Sequence, residues 1–356
     1  MNTRTGRSSN GWTAVAWAPY SRRSEMFARE LGGTLHCIHY LRFRSPIHAP
    51  FKYVMQAVRT LQVLNRERPS AVHVQSPPFV CALVVHLYCL WSGARYVIEH
   101  HTASFGPAWD WALPMQKFVA RRAVTNIVTA ERWSDLVRSW GAETLVMHDP
   151  FLDLPPGEPF PLPPGPNVAF IGTFAQDEPL AAVLEAATMM PDVHLLITGD
   201  TGRAPTMIAD APPNVTYTGF LDLNREYLGL LRGVDAAMVL TTRDDTLQLA
   251  GCEAISVGTP LITSDWPYLR ELFGRAAVYV SHSAESIRDG VREALDRRAD
   301  LAGEIPRFRE ERQRVWADRL DQLTAMVSQA GRSRVGVVAQ LPWTGMDDDD
   351  GRKERR

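Results

Sequence analysis

Apolar and polar positions alternate along this chain in two successive blocks of strand-like and helix-like runs. Residues 13–17 form an apolar run that stops at Ala18-Pro19, and residues 24–31 then take helical spacing until Gly32-Gly33. That opening reads as strand, loop and helix. A second strand at 34–40 leads into an Arg-containing loop with Pro46 and Pro50. Val54, Val58, Leu61 and Leu64 then repeat at helical spacing up to Pro69. Residues 72–75 predict a third strand and 96–98 a fourth, ending at Glu99-His100-His101. Between them, the apolar run 79–91 is shorter than the ~20 residues of a spanning helix and predicts a buried one. A helix at 113–123, a strand at 126–129, a helix at 131–140 and a strand at 144–147 complete the block. Strands alternating with helices predict a parallel sheet covered on both faces.

Residues 150–166 are dense in proline, which forbids regular structure and stiffens the chain, so they predict a linker. The alternation then restarts. Strands are expected at 168–172, 193–198, 215–218, 236–240, 261–264 and 277–280. Helices are expected at 179–190, 226–232, 247–257 and 267–273, with another capped by Ser283 and a last one from Pro306 to about Gln329. The expected organisation is an N-terminal Rossmann-like domain (11–149), the linker (150–166), a second Rossmann-like domain (167–305), a C-terminal helix (306–330) and a disordered tail (331–356). Two doubly wound parallel-sheet domains would face each other across a cleft, with ligands where strand C-termini meet.

Length supports two cores, since 356 residues exceed the usual single domain. The net charge of -2 conceals an asymmetry, because residues 1–150 carry +8 and residues 151–356 carry -10. A basic first half suits an anionic partner or an answering acidic face across the cleft. Cys37, Cys81, Cys89 and Cys252 show no metal-ligand or redox spacing, and residues 1–10 lack the apolar stretch of a signal peptide. A cytoplasmic location is therefore expected, with no metal site. The basic residues accompany no nucleic-acid module, and neither first strand runs into Gly-x-Gly-x-x-Gly, which argues against nucleic-acid binding and a dinucleotide dehydrogenase.

The most informative segment is 241–265, which reads strand, loop, helix, turn and strand. A helix N-terminus near Asp245, Thr246 and Leu247 would direct free N–H groups into the cleft, a ready site for phosphate. Glu253, further along that helix, can accept hydrogen bonds from both hydroxyls of a ribose. Here the sequence resembles the GT-B glycosyltransferases that carry Glu-x7-Glu followed by Ala-x-x-x-Gly-Thr-Pro. Glu253-Ala254 and Gly258-Thr259-Pro260 fit the closing half, while Asp245 replaces the first Glu. The resemblance implies that Glu253 binds the donor's ribose and that Asp245 stands at the sugar contact, with a UDP- or GDP-linked sugar as co-substrate and no cofactor. Gly172-Thr173 resembles the glycine strand end that lets the backbone approach the diphosphate, and Gly199 the one beside the base. The family's basic Arg-x4-Lys is missing after Gly172. Arg243 is the expected replacement, with Arg203 second.

On the acceptor side, Ser21, Arg22 and Ser24 follow the first strand at a helix N-terminus. They could hold an acceptor phosphate, or Ser21 and Ser24 could simply cap the helix. His101 is the expected general base and Glu99 the second choice, since imidazole titrates near working pH. Alternation places both on one side of the strand end and His100 on the other. Arg42, Arg44, Lys52 and Arg59 interleave with Phe43, Phe51 and Tyr53, which suits a lipid surface. The expected function is transfer of a sugar to a lipid-linked or polysaccharide-precursor glycan at the inner membrane face, with peripheral membrane contact. A nucleotide-sugar epimerase and a non-catalytic nucleotide-sugar-binding subunit are the alternatives.

Overall fold

The computed structural model describes residues 11–40, 49–148, 151, 153–203, 210–244 and 246–338. In the first half, β1 (Trp12–Ala16), α1 (Arg22–Glu30), β2 (Thr34–Cys37), α2 (Ala49–Glu67), β3 (Ala71–Ser76), α3 (Phe79–Ser92) and β4 (Arg95–His100) alternate. Two 3-10 turns (Thr102–Phe105 and Pro107–Ala112), α4 (Leu113–Ala120), β5 (Asn126–Val128), α5 (Glu131–Ser139) and β6 (Thr144–Val146) follow. The second half holds β7 (Asn167–Phe170), α6 (Leu180–Thr188), β8 (His194–Thr198), β9 (Val215–Gly219), α7 (Leu228–Gly233), β10 (Ala236–Val239) and α8 (Leu249–Val257). It ends with β11 (Leu261–Ser264), α9 (Pro267–Phe273), β12 (Ala277–Val280), α10 (Ala284–Asp296) and α11 (Arg298–Val338).

Two six-stranded sheets result, ordered β2-β1-β3-β4-β5-β6 and β12-β11-β10-β7-β8-β9, with parallel neighbours throughout. The continuously apolar strands explain this, because β1, β3, β7 and β10 are buried along their whole length, as strands covered on both faces must be. The order reverses beside β1 in one sheet and beside β7 in the other. Loops that leave those strands splay apart at the reversal, and ligand crevices form there. The segments after β1, β7 and β10 are the ones the sequence singled out.

Helix ends follow local chemistry. Ser21 caps α1 by accepting from the Ser24 N–H at 3.3 Å, and Ser283 caps α10 by accepting from the Ser286 N–H at 3.2 Å. Gly258, with φ +87°, closes α8 in the left-handed conformation that only glycine adopts without strain. α11 departs from expectation. It begins at Arg298 rather than at Pro306, which lies inside it, and it continues through 331–338, where a disordered tail was expected. Residues 339–356 lie outside the described residues. α11 packs on both halves: Ile305 and Phe308 join the second-domain core, while Trp316 and Leu323 pack with Trp12 and Phe27 of the first. Between the sheets, residues 153–166 run without helix or strand. No helix among the described residues is long and apolar enough to cross a membrane.

Candidate active site

At the end of β4 the chain sets a carboxylate beneath a histidine. Glu99 is fully buried, and His101 places Nε2 at 3.3 Å from Glu99 Oε1 while its side chain remains 35% exposed. His100 points the other way and meets Asn126 Oδ1 at 2.9 Å, as alternation requires. Glu99 has further partners: Arg23 Nε lies 2.6 Å from Oε1, His73 Nε2 lies 3.3 Å from Oε2, and Ser24 Oγ donates to Oε2 at 3.3 Å. Burial by itself would raise the Glu99 pKa. His101, His73 and Arg23 outweigh it and hold the carboxyl well below its ordinary range. Glu99 is therefore a buried anion with no path to an acceptor, which corrects its expected role as alternative base. It contacts His101 from beneath and leaves one edge of that ring exposed.

The acceptor loop is sorted in the same way. Ser21 and Ser24 are buried, and Ser21 Oγ donates to Ser24 Oγ at 2.8 Å. In this structure these serines make the helix cap and contact the Glu99 network. Arg22 alone of the three reaches the cleft, where its Nη1 donates to Oε1 of Glu253 in the other domain.

Glu253 lies one turn into α8 and is fixed at both oxygens. Oε2 accepts from the Tyr227 hydroxyl at 2.7 Å. Burial first, and then the neighbouring Glu253 charge, push the Tyr227 phenol far above its usual pKa, so it donates at any working pH. Arg22 and Arg23 are consecutive, and one holds Glu253 while the other holds Glu99. One turn of α1 therefore ties the donor-side carboxylate to the pair behind His101, across the cleft.

The remaining donor-side residues converge less. α8 starts at Leu249, not near 245–247, because Gln248 is extended and its side chain is held by Thr263 Oγ1 at 2.6 Å. Asp245 lies outside the described residues, and Thr246 Oγ1 donates to the Asp244 carbonyl at 3.3 Å. Arg243 is exposed, with Nε at 3.8 Å from Asp177 Oδ2, and Asp177 also accepts from Thr241 Oγ1 at 3.1 Å. The Arg203 side chain is outside the described residues.

After β7, the Thr173 N–H and hydroxyl donate to Glu178 at 2.9 and 3.0 Å, and the Ala175 N–H does so at 3.3 Å. A side-chain anion thus occupies the loop where the resemblance implied a diphosphate. Gly199, at φ +122°, lies so close to this loop that a Cβ there would stand 2.7 Å from the Gly172 carbonyl oxygen. Sequence reasoning missed Tyr227, Arg23, His73, Asp177 and Glu178. The first three gave no signal, since each meets its partner from a distant part of the chain. Glu178 stood in view five residues after Thr173 as an acid able to return to the loop's N–H groups.

Two parallel six-stranded sheets facing across a cleft, with a long helix returning from the second domain to the first, constitute the GT-B fold of glycosyltransferases. Residues 165–297, which span the domain that carries Glu253, match the family model Glycosyl transferases group 1. Among solved structures, sucrose-phosphate synthase from Thermosynechococcus elongatus is similar over 93% of this chain and 100% of its own, with TM-score 0.61 and 15% identity. Anabaena HepE in complex with UDP and glucose covers 93% of this chain and 100% of its own, at TM-score 0.59 and 10% identity. The lipopolysaccharide outer core galactosyltransferase WaaB covers 90% and 99%, at TM-score 0.59 and 11% identity. A comparison with curated protein sequences finds no match.

Proposed function

We propose that this protein transfers a hexose from a nucleotide sugar, UDP- or GDP-linked, to a hydroxyl of a lipid-linked or polysaccharide-precursor glycan presented at the cytoplasmic face of a membrane. The observation that carries the reading is Glu253, a carboxylate held from both domains at the cleft, within the region that matches the glycosyltransferase model. Its two oxygens suit the two hydroxyls of a ribose, once Arg22 yields one of them. HepE, similar in fold, holds UDP and glucose. In the proposed reaction His101 takes the proton of the acceptor hydroxyl and that oxygen bonds to the anomeric carbon. The bond from that carbon to the diphosphate breaks, and the nucleoside diphosphate departs with the electron pair. Arg243 and the N–H groups after β7 would receive its charge without a metal ion, with Glu178 leaving those groups as the diphosphate enters.

The test is thermal shift with UDP, GDP, ADP and TDP on wild type and Glu253→Ala, since a ligand that binds only the folded state raises its midpoint. One nucleotide should shift wild type and fail to shift the variant. No shift with any of the four overturns the reading. The occupied loop, with Glu178 on the Thr173 and Ala175 amides, favours a non-catalytic member of the fold as the second reading. In that case nucleotide binds without turnover.

A further inference from the structure

α3 has no charged side chain from Phe79 to Ser92. A helix apolar on every side is ordinarily covered on every side. The inner face of α3 is covered, with Cys81, Ala82, Val85 and Tyr88 in the first-domain core. The outer face is not: Leu90 is 62% and Trp91 58% exposed, and Leu87 is exposed beside them. The next helical segment continues the pattern, with Trp111 73% exposed and Met115 and Phe118 at i+4 and i+7 also exposed. These segments touch. Phe79 packs edge-on to Trp111 at 5.7 Å, and the His86 ring lies 5.5 Å from Phe118. Single exposed apolar side chains need no explanation, but six on α3, the Pro107–Ala112 turn and α4 mark an interaction surface.

Charge says what kind of partner fits. Between residues 79 and 122 the acids are Glu99, which is buried, and Asp110, whereas Arg95, Lys117, Arg121 and Arg122 supply four cations. Arg122 lies 3.8 Å over the Phe118 ring, so a cation borders the apolar strip directly. Apolar side chains that enter the acyl boundary, tryptophans at its level and guanidinium groups among phosphates are what an anionic bilayer surface selects. A groove of about 370 Å³ opens beside the strip, lined by His86, Leu90, Tyr96, Arg95 and Arg122 among others.

We propose that the outer faces of α3, the Pro107–Ala112 turn and α4 dock this protein on an anionic lipid surface. This deepens the reading of a membrane-borne acceptor and rests on it. It names a second surface beside the stretch to which the sequence pointed. Of that stretch Phe51 and Arg59 are exposed and Lys52 is buried, while Arg42, Phe43 and Arg44 lie outside the described residues.

The test is flotation of the full chain with phosphatidylcholine vesicles containing roughly one third phosphatidylglycerol, against phosphatidylcholine alone. Neither donor nor acceptor is present, so failure to dock and failure to bind nucleotide are read separately. Wild type should float with the anionic vesicles. The double variant Leu90→Glu/Trp91→Glu, and separately Trp111→Glu, should reduce binding by roughly tenfold or more at unchanged melting temperature. These side chains are exposed, and Trp111 lies on a different element, so a folding defect in one variant leaves the other informative. Wild type that stays unbound, or variants that float like wild type, overturn the proposal. So does a concentration-dependent dimer in ultracentrifugation without lipid that the same substitutions dissolve, because the face would then belong to a second copy.

Discussion

Arg22 of the first domain and Glu253 of the second are joined across the cleft, with Arg22 Nη1 on the carboxylate oxygen that Tyr227 leaves open. A ribose that binds both oxygens of Glu253 competes with Arg22 at one and with Tyr227 at the other. Arg22→Ala removes the charged one of these two competitors. Nucleoside diphosphate should then bind more tightly, by up to about tenfold for a hydrogen-bonded ion pair that is partly solvated, while the acceptor KM rises. Calorimetric titration checks the first effect and initial rates the second. Weaker nucleotide binding would mean that Arg22 holds the donor itself.

His101 is the one group of the β4 cluster that combines a fully buried carboxylate partner with an exposed edge. His101→Ala should lower kcat by roughly 10²- to 10⁴-fold, the usual worth of a general base. The nucleotide-induced thermal shift should stay at the wild-type value. A loss of that shift would make the histidine a binding group.

Glu99 is fully buried and contacts Arg23, His73 and His101. Glu99→Gln removes the carboxylate charge that pairs with buried Arg23 and should destabilise the fold by about 3–5 kcal/mol. Its sign with pH is fixed. The carboxyl is depressed in the folded state, so its contribution is complete above its unfolded pKa and is lost as pH falls through the lower folded value. Denaturant unfolding of wild type and variant, compared at neutral and acid pH, should converge at low pH.

Two buried histidines should dominate acid sensitivity at milder pH. Burial first, and neighbouring cations second for His148, lower His148 to about 3, and burial with the neighbouring His101 lowers His100 to about 4 despite the Asn126 bond. Between those values and 6.5 the unfolded chain binds protons that the folded one refuses, so stability falls as pH falls through this window. Each histidine accounts for on the order of 3–5 kcal/mol. His148→Asn should flatten the dependence of unfolding free energy on pH between about 6 and about 4.

Gly199 is required by backbone conformation and by the closeness of Gly172. Gly199→Ala puts a Cβ 2.7 Å from a carbonyl oxygen at φ +122°. A loss of about 2–4 kcal/mol is expected from strain and displacement together, measured as a lower midpoint in denaturant. A neutral substitution would show that the two loops can separate freely.

Much of this architecture was written in local pattern. Strands β11 and β12 and helix α9 fall where alternation and turn residues put them, and Ser283 caps α10, because period-2 and period-3.6 burial and end-capping depend on a few neighbouring residues. The helix that carries Glu253 and the strand that ends before His101 were legible for the same reason: a short run of residues carries each. What tertiary structure decided is which groups meet. Arg22 and Glu253 are 231 residues apart, and Ser24 reaches Glu99 over 75. Whether Ser24 faces a ligand or a buried acid depends on the order of strands in the sheet, and whether Arg22 finds a carboxylate depends on how α11 seats one domain against the other. The exposure of Leu90 and Trp91 was decided there as well. An apolar helix reads the same in sequence whether its outer face is covered by a neighbouring element or left open, and only the completed packing shows that nothing in the described chain covers this one.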